Sequence, residues 1–321
     1  MAEIAVRFLY PGIVPTTMYD WSLRHAGYTL QKPPNTFRIV VLGDSFTFGM
    51  GVKKEETFAY RLESLLNSKS SETRVEVINL GFLDLNTVQE LIVLTQKGLN
   101  PSTWSVDSGY YGLAYQPDMV LVEYTLNDVT STKRFLLEDL LPNQRRFKNG
   151  HLAIQYNSGP YALPLPNRID MFLTNNSRFY LFFLGRYTQI LARLGLREGG
   201  NSAIVDTIEK YNENYPGWIY VKQALYGMAN IAKQKEIPIV LIAYPYMELL
   251  DKYPYKMVHK KVCDTANTLG FYTHDLLPAF EGLDVESLRV NLIDHHPNAR
   301  SHEIAAADIF TYLKKERLAP R

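Results

Sequence analysis

One serine in the sequence stands where its hydroxyl could act as a nucleophile. Residues 40–49 read VVLGDSFTFG, so an apolar run leads directly into Gly43-Asp44-Ser45. A serine at the carboxyl end of a buried strand, just before a helix, would present its hydroxyl beside free backbone N–H groups. From these three residues alone, an equally good interpretation is that Ser45 caps the helix and Gly43 allows the turn.

A second segment, near the end of the chain, supplies the residue types that such a serine needs. Asp294, His295 and His296 are consecutive and precede Pro297-Asn298, and His302 follows at the start of a predicted helix. Histidine is the usual general base because its pKa lies near neutrality, and a carboxylate commonly orients it. The alternative is a metal site formed by the three histidines and the aspartate, but they lack the helical His-x-x-x-His spacing. We therefore favour a Ser-His-Asp triad.

Two further segments lie where donors to an oxyanion would be needed. The segment 79–81 ends a second apolar run with Asn-Leu-Gly, and Asn127-Asp128 follows a third run. The backbone N–H groups of Ser45 and Gly81 and the side-chain amide of Asn127 could converge on one oxygen. Taken singly, each has a simpler interpretation, with Gly81 as a turn glycine and Asn127 or Asp128 as a helix cap. Their combination predicts an oxyanion hole.

The elements that must position these residues alternate between strands and helices. Short runs rich in Val, Ile and Leu, bounded by Gly, Pro, Asn or Asp, are typical of strands buried on both faces of a parallel sheet. We predict strands over 38–42, 75–80, 119–125, 237–244 and 270–274. Helical spacing of apolar residues predicts helices over 57–67, 86–98, 178–194, 218–235, 255–269 and 299–316. This alternation predicts a doubly wound α/β fold with its site at the C-terminal strand ends.

One long region breaks the alternation. Residues 135–215 are rich in Phe, Tyr, Asn and Pro and are too long for a simple crossover between strands. We interpret them as an insertion within a domain over 37–321, preceded by an N-terminal extension over 1–36. The aromatic residues Phe179, Phe182 and Phe183 could line a substrate cleft or touch a membrane. We expect them instead to pack the insertion onto the sheet.

Composition excludes several classes of protein. The 321 residues include 34 Lys and Arg against 33 Asp and Glu, a formal charge of +1, whereas a nucleic-acid binder normally has a basic excess. With 46% hydrophobic and 21% charged residues, the chain has the composition of a globular domain and not of a disordered or coiled-coil protein. The single cysteine, Cys263, cannot form an intramolecular disulfide, and there is no CxxC pair for zinc.

No segment of the sequence has the character of a membrane span or a secretory signal. The apolar runs are far shorter than the ~20 residues needed to cross a bilayer. Residues 1–11 have no basic stretch followed by an apolar run. The sequence as given therefore predicts a cytoplasmic protein, or a periplasmic or extracellular one if an export segment precedes it.

Taken in order, the four segments resemble the sequence blocks of the SGNH (GDSL-type) hydrolases. The resemblance extends from about residue 38 to residue 308. It implies a three-layer α/β/α sandwich with a flavodoxin-like sheet of about five parallel strands, and no metal or organic cofactor. The roles that it implies are Ser45 as nucleophile, His296 as base, Asp294 as partner of the base, and Ser45, Gly81 and Asn127 as donors of the oxyanion hole.

Two departures from the family pattern concern the base and one oxyanion block. Thr125 stands where the family usually has a glycine, and Asp294 lies two residues before His296 where three are usual. The aspartate also lies one residue before His295. We favour His296 as the base because it precedes Pro297, as in related sequences with the shorter spacing. Whether Asp294 reaches the imidazole is a question that the sequence leaves open.

The predicted activity is hydrolysis of carboxylic esters through an acyl-enzyme intermediate. The substrate would be a small-molecule or glycan ester carrying an acetyl or other short acyl group, and the oligomeric state is not predicted. Residues 32–38 and 49–52 resemble a bacterial branch found with surface-polysaccharide genes, which suggests as an alternative an O-acyltransferase acting on such a polysaccharide. A second alternative is an inactive binding protein of the same fold, against which the intact Ser45 and His296 argue.

Overall fold

A five-stranded sheet forms the centre of the molecule. The computed structural model describes residues 2–9, 24–68, 72–83, 85–95, 111–129, 146–148, 151–153, 166–193, 201–291 and 294–320. The strands of the main sheet are β1 (Thr36–Leu42), β2 (Arg74–Asn79), β3 (Met119–Tyr124), β6 (Ile239–Ala243) and β7 (Tyr272–Asp275). A separate antiparallel pair consists of β4 (Arg146–Lys148) and β5 (His151–Ala153).

All pairings in the main sheet are parallel, and the strand order is β2-β1-β3-β6-β7. This is the flavodoxin-like order, in which the direction of winding reverses after β1 and creates a crevice at the carboxyl ends of the strands. Every residue of β3 and β6 is buried, as expected for strands covered on both faces. The predicted five-stranded parallel sheet is confirmed, and each strand end lies within two residues of its predicted position.

Helices cover both sides of the sheet and complete the predicted three-layer sandwich. The helix over Phe58–Leu66 (α3) packs against β2 and against the helix over Ala299–Lys315 (α11), whereas the helix over Thr87–Thr95 (α4) packs against the helix over Pro216–Lys235 (α8). The predicted ends of helices at 98 and 194 lie outside the described residues. The observed helices are α1 (Ala2–Leu9), α2 (Ser45–Phe48), α3 (Phe58–Leu66), α4 (Thr87–Thr95), α5 (Asn167–Asn176), α6 (Arg178–Arg193), α7 (Asn201–Glu209), α8 (Pro216–Lys235), α9 (Lys256–Thr268), α10 (Leu277–Phe280) and α11 (Ala299–Lys315).

The aromatic helix α6 does not pack in the way that the sequence suggested. Phe179 and Phe183 are 43% and 46% exposed, so the expectation that they pack the insertion onto the sheet is wrong. Among the side chains of α6 that the structure describes, Tyr180, Leu181 and Leu184 are buried instead, because each step along a helix turns the side chain by ~100°. Most of the span 135–165 lies outside the described residues, so the division into an extension, a domain and an insertion stays a prediction. Within the described ranges, no helix has the length and apolar character needed to cross a membrane.

The last helix is attached to α3 through a buried histidine. His302, in the first turn of α11, accepts a hydrogen bond at Nδ1 from the Phe58 backbone N–H at 3.2 Å. Its ring stacks on the Phe58 ring. Burial lowers the pKa of His302 to about 3, and the positive charges of Arg24 and Arg61 contribute in the same direction. His302 is therefore neutral in the folded protein and has a structural role.

We expect His302 to make the protein less stable as the pH falls. The unfolded chain protonates this histidine near pH ~6.5, whereas the folded chain keeps it neutral down to about pH 3. Its contribution to stability is therefore complete above pH ~6.5 and decreases as the pH falls from there towards about 3. Urea unfolding between about pH 7.5 and about pH 4.5 should show a shallower pH dependence of the free energy of unfolding in His302→Gln than in wild type. Equal slopes would contradict this account.

Candidate active site

The turn after β1 places Ser45 at the carboxyl end of the sheet. A Cβ at Gly43 would lie 2.1 Å from Thr47 Oγ1 and 2.7 Å from Glu123 Oε2, so only glycine fits this turn. Asp44 is the N-cap of α2, and its Oδ1 accepts from the Phe46 N–H at 2.8 Å. The alternative interpretation of Ser45 as the helix cap is therefore wrong, since Asp44 fulfils that function and leaves the Ser45 side chain available.

Ser45, His296 and Asp294 form one hydrogen-bonded line. Ser45 Oγ lies 2.9 Å from His296 Nε2, and His296 Nδ1 lies 2.5 Å from Asp294 Oδ1. The Asp294 side chain is 5% exposed, and its Oδ1 also accepts from the His296 backbone N–H. A carboxylate at Nδ1 favours the tautomer with its proton on that nitrogen, which leaves Nε2 as the acceptor for the serine hydroxyl. The question that the sequence left open therefore has an answer, because Asp294 does reach the imidazole.

The loop that carries the histidine is held by backbone contacts. Arg289 and Pro297 form an isolated antiparallel bridge, and the Val290 N–H donates to the His296 carbonyl at 2.9 Å. His295 Nδ1 lies 2.5 Å from Glu248 Oε1, on the loop after β6. The two adjacent histidines thus have different partners, and it is His296 that contacts the serine.

The three predicted oxyanion donors differ in their partners. Within the part of the chain that the structure describes, the Ser45 backbone N–H has no acceptor. The Gly81 N–H donates to Asn79 Oδ1 at 2.9 Å, and Asn127 Nδ2 donates to Asp44 Oδ2 at 2.8 Å. A bound oxyanion would have to share the Gly81 N–H with Asn79.

Asp44 is a residue of the site to which the sequence analysis gave no role. Its carboxylate accepts hydrogen bonds from the Phe46 N–H, from Thr125 Oγ1 at 2.9 Å and from the Asn127 amide. Burial raises the pKa of Asp44 above its ordinary value, and these three hydrogen bonds oppose the shift. Thr125 also contacts Asn127 Oδ1. The one available signal was an aspartate at the N-cap position between strand and helix.

Three more carboxyl groups are buried beneath the site. Glu90, Glu123 and Asp128 have pKa values well above the ordinary range, chiefly because of burial and further because of mutual repulsion and repulsion from Asp44. Glu123 Oε2 accepts from Thr47 Oγ1 at 2.8 Å, and Asp128 accepts from a threonine of α4. In the described ranges no group of three or more His, Cys, Asp or Glu side chains could hold a metal ion.

The N-terminal segment contacts the turn that follows Ser45. Arg24 is 3% exposed and donates to the carbonyl oxygens of Phe48, Gly49 and Val52 at 2.7, 3.1 and 2.8 Å. Its guanidinium lies 4.6 Å from the centre of the Phe48 ring. A buried arginine requires such partners, and these carbonyls include the last ones of α2. No pattern in the sequence indicated that a residue before 37 supports the site.

An aromatic ring lies against the imidazole of His296 and leads to a cluster of tyrosines. The Phe46 ring, directly after the serine, lies edge-on to the His296 ring at 5.6 Å between centroids. It also lies 6.2 Å from the ring of Tyr246, on the loop after β6. Tyr253 accepts the Tyr246 N–H at its hydroxyl, and that hydroxyl lies 3.0 Å from His259 Nε2. Burial raises the pKa of Tyr246 well above its ordinary value, so its phenol is neutral.

Comparison with known proteins gives matches among solved structures only. No protein-family model and no curated protein matches the chain. A lipolytic protein of the G-D-S-L family from Desulfitobacterium hafniense is 14% identical, with coverage of 85% of this chain and 98% of that one and a TM-score of 0.42.

A two-domain esterase active on acetylated mannans is 13% identical, over 89% of this chain and 51% of that one, with a TM-score of 0.46. An acetylxylan esterase from Geobacillus stearothermophilus is 14% identical, over 87% and 93%, with a TM-score of 0.45. Because these TM-scores are below 0.5, the functional assignment rests on the geometry of the site.

Proposed function

We propose that the chain is a serine esterase of the SGNH (GDSL-type) hydrolase family and that it hydrolyses carboxylic esters through an acyl-enzyme intermediate. The observation that carries the proposal is the line from Ser45 Oγ through His296 to Asp294, with distances of 2.9 and 2.5 Å. These side chains come from the end of β1 and from the loop before α11, and they meet at the carboxyl end of the sheet. A serine, a base and an orienting carboxylate in this arrangement suit acyl transfer.

In the first half of the proposed reaction, Ser45 Oγ attacks the carbonyl carbon of the ester. His296 Nε2 takes the hydroxyl proton, and Asp294 stabilises the imidazolium that results. The carbonyl oxygen becomes an oxyanion, to which the Ser45 N–H, the Gly81 N–H and the Asn127 amide donate hydrogen bonds. As the tetrahedral intermediate collapses, His296 gives the proton to the leaving alcohol, and the acyl group remains on Ser45.

In the second half, water replaces the alcohol. His296 Nε2 removes a proton from the water as it attacks the acyl carbon, and the same donors stabilise the second oxyanion. Collapse of this intermediate returns the proton to Ser45 Oγ and releases the carboxylic acid. The net reaction therefore converts the ester and one water molecule into the alcohol and the carboxylic acid.

Small acyl groups are the proposed substrates. Ser45 is 9% exposed, and the rings of Phe46, His296 and Tyr246 lie close together beside it. A partly enclosed serine admits an acetyl group more readily than a long chain, because a long chain needs an extended apolar groove.

The test is release of p-nitrophenol from the acetyl, butyryl and octanoyl esters by the wild-type protein. We expect kcat/KM to be highest for the acetyl ester and to fall by about tenfold or more for the octanoyl ester, as a pocket that excludes the longer chain should cause. A preference for the octanoyl ester would contradict the assignment of small acyl groups. A folded wild-type protein that hydrolyses none of the three esters would contradict the esterase activity.

A further inference from the structure

A buried asparagine joins the nucleophile turn to the loop that carries Gly81. Asn79, the last residue of β2, is 3% exposed. Its Nδ2 donates to the Thr47 carbonyl oxygen at 2.6 Å, and its Oδ1 accepts from the Gly81 N–H at 2.9 Å. One amide therefore contacts both the helix that begins at Ser45 and the backbone of a proposed oxyanion donor.

Thr47, whose carbonyl oxygen accepts from Asn79, has two further contacts through its side chain. Thr47 Oγ1 donates to Glu123 Oε2 at 2.8 Å, which attaches α2 to β3. A Cβ at Gly81 would lie 2.4 Å from Thr47 Cγ2, so the Gly81 backbone rests directly on the threonine side chain. Thr47 is fully buried, two residues after the serine. Strands β2 and β3 are the two neighbours of β1 in the sheet, and each holds α2 through a hydrogen bond to Thr47.

We propose that Asn79 is a positioning residue for catalysis, which holds α2, and with it the Ser45 N–H and Oγ, against the end of β2. This inference rests on the proposed esterase function. The Ser45 N–H acts on an oxyanion only if its position is fixed before the reaction, since preorganised donors need no rearrangement in the transition state. Asn79 uses one of its two N–H bonds for the Thr47 carbonyl and its own carbonyl oxygen for the Gly81 N–H.

Two substitutions separate these contacts. Asn79→Ala removes both of them. Asn79→Asp keeps an acceptor for the Gly81 N–H but places a carboxylate oxygen against the Thr47 carbonyl, which it cannot replace as a donor. The matched control is Asn86→Ala, because Asn86 is equally buried and accepts two backbone N–H bonds at 3.1 Å at the start of α4, away from Thr47.

The experiment measures the rate at which a fluorophosphonate labels Ser45, together with kcat and KM for p-nitrophenyl acetate. In the labelling reaction, Ser45 Oγ attacks phosphorus, fluoride leaves, and the hydroxyl proton passes to His296. The phosphonyl oxygen then occupies the oxyanion position. We expect labelling and kcat to fall by about 100-fold in Asn79→Ala and Asn79→Asp with KM little changed, as small displacements of reacting groups can cause. Asn86→Ala should stay within about threefold of wild type, since a loss of stability alone does not alter the folded site.

The outcomes separate this inference from the esterase assignment. If wild type is labelled at Ser45 but hydrolyses no ester, the esterase proposal is contradicted, while the labelling rates of the variants still test Asn79. Equal labelling of the Asn79 variants and Asn86→Ala would overturn the positioning role. Absence of labelling in wild type would overturn both. If Asn79→Ala does not fold, as judged by its thermal transition, Asn79→Ser provides the comparison, because serine is too short to make both contacts.

Discussion

Ser45→Ala and His296→Ala should each lower kcat for p-nitrophenyl acetate by roughly 10⁴- to 10⁶-fold, the range found when a serine nucleophile or its base is removed. Without Oγ there is no atom to attack the ester, and without Nε2, which lies 2.9 Å from Oγ, no base accepts the hydroxyl proton. The remaining rate would come from the oxyanion donors acting on attack by water. Thermal unfolding should be close to wild type, since each change leaves the sheet and its core intact.

The matched control for the base is His295→Ala. His295 is adjacent in sequence, but its Nδ1 contacts Glu248 and the two side chains are 36% and 49% exposed. We expect His295→Ala to keep kcat within about threefold of wild type, because exposed ion pairs contribute little. Loss of activity in His295→Ala together with an active His296→Ala would reverse the assignment of the base. Equal activity of Ser45→Ala and wild type would contradict the serine mechanism itself.

Asn127→Ala should lower kcat by about 100- to 1,000-fold, the usual cost of losing one oxyanion donor. The amide is held at one N–H by Asp44 Oδ2 at 2.8 Å, and its carbonyl contacts Thr125. This support fixes the orientation of the amide before the oxyanion forms. KM should change little, because the donor acts on charge that develops in the transition state.

Thr125→Val provides the control for Asn127. It removes the hydroxyl that supports the amide and Asp44 but leaves the Asn127 donor in place. We expect a loss of about fivefold in kcat, equivalent to one neutral hydrogen bond of about 1 kcal/mol. Steady-state kinetics of the two variants on p-nitrophenyl acetate makes the comparison. An Asn127→Ala variant that is no slower than Thr125→Val would remove Asn127 from the oxyanion hole.

The sequence by itself determined the sheet and most helices. Strands buried on both faces are mostly apolar, as β6 is throughout and β3 is apart from Glu123, so short Val-, Ile- and Leu-rich runs identified them. Helices such as α8 and α11 were identified because their apolar residues recur every three or four positions, a spacing that places them on one face of a helix. These patterns are local, and they predict the ends of the five strands to within two residues because burial imposes the pattern on each strand separately. The residue types of the site were also visible, since serine, histidine and aspartate have chemistry of their own.

The tertiary structure decided which of these residues meet. His296 and not His295 contacts a serine 251 positions away, and the direction of each side chain depends on the bridge between Arg289 and Pro297. The supporting roles of Asp44, Asn79 and Arg24 likewise depend on contacts between separate elements. The exposure of Phe179 on α6 was mispredicted for the same reason, because an aromatic residue does not reveal which face its neighbours cover. Packing fixes such contacts only when the whole chain is folded, since no local pattern encodes a distance between residues far apart in sequence.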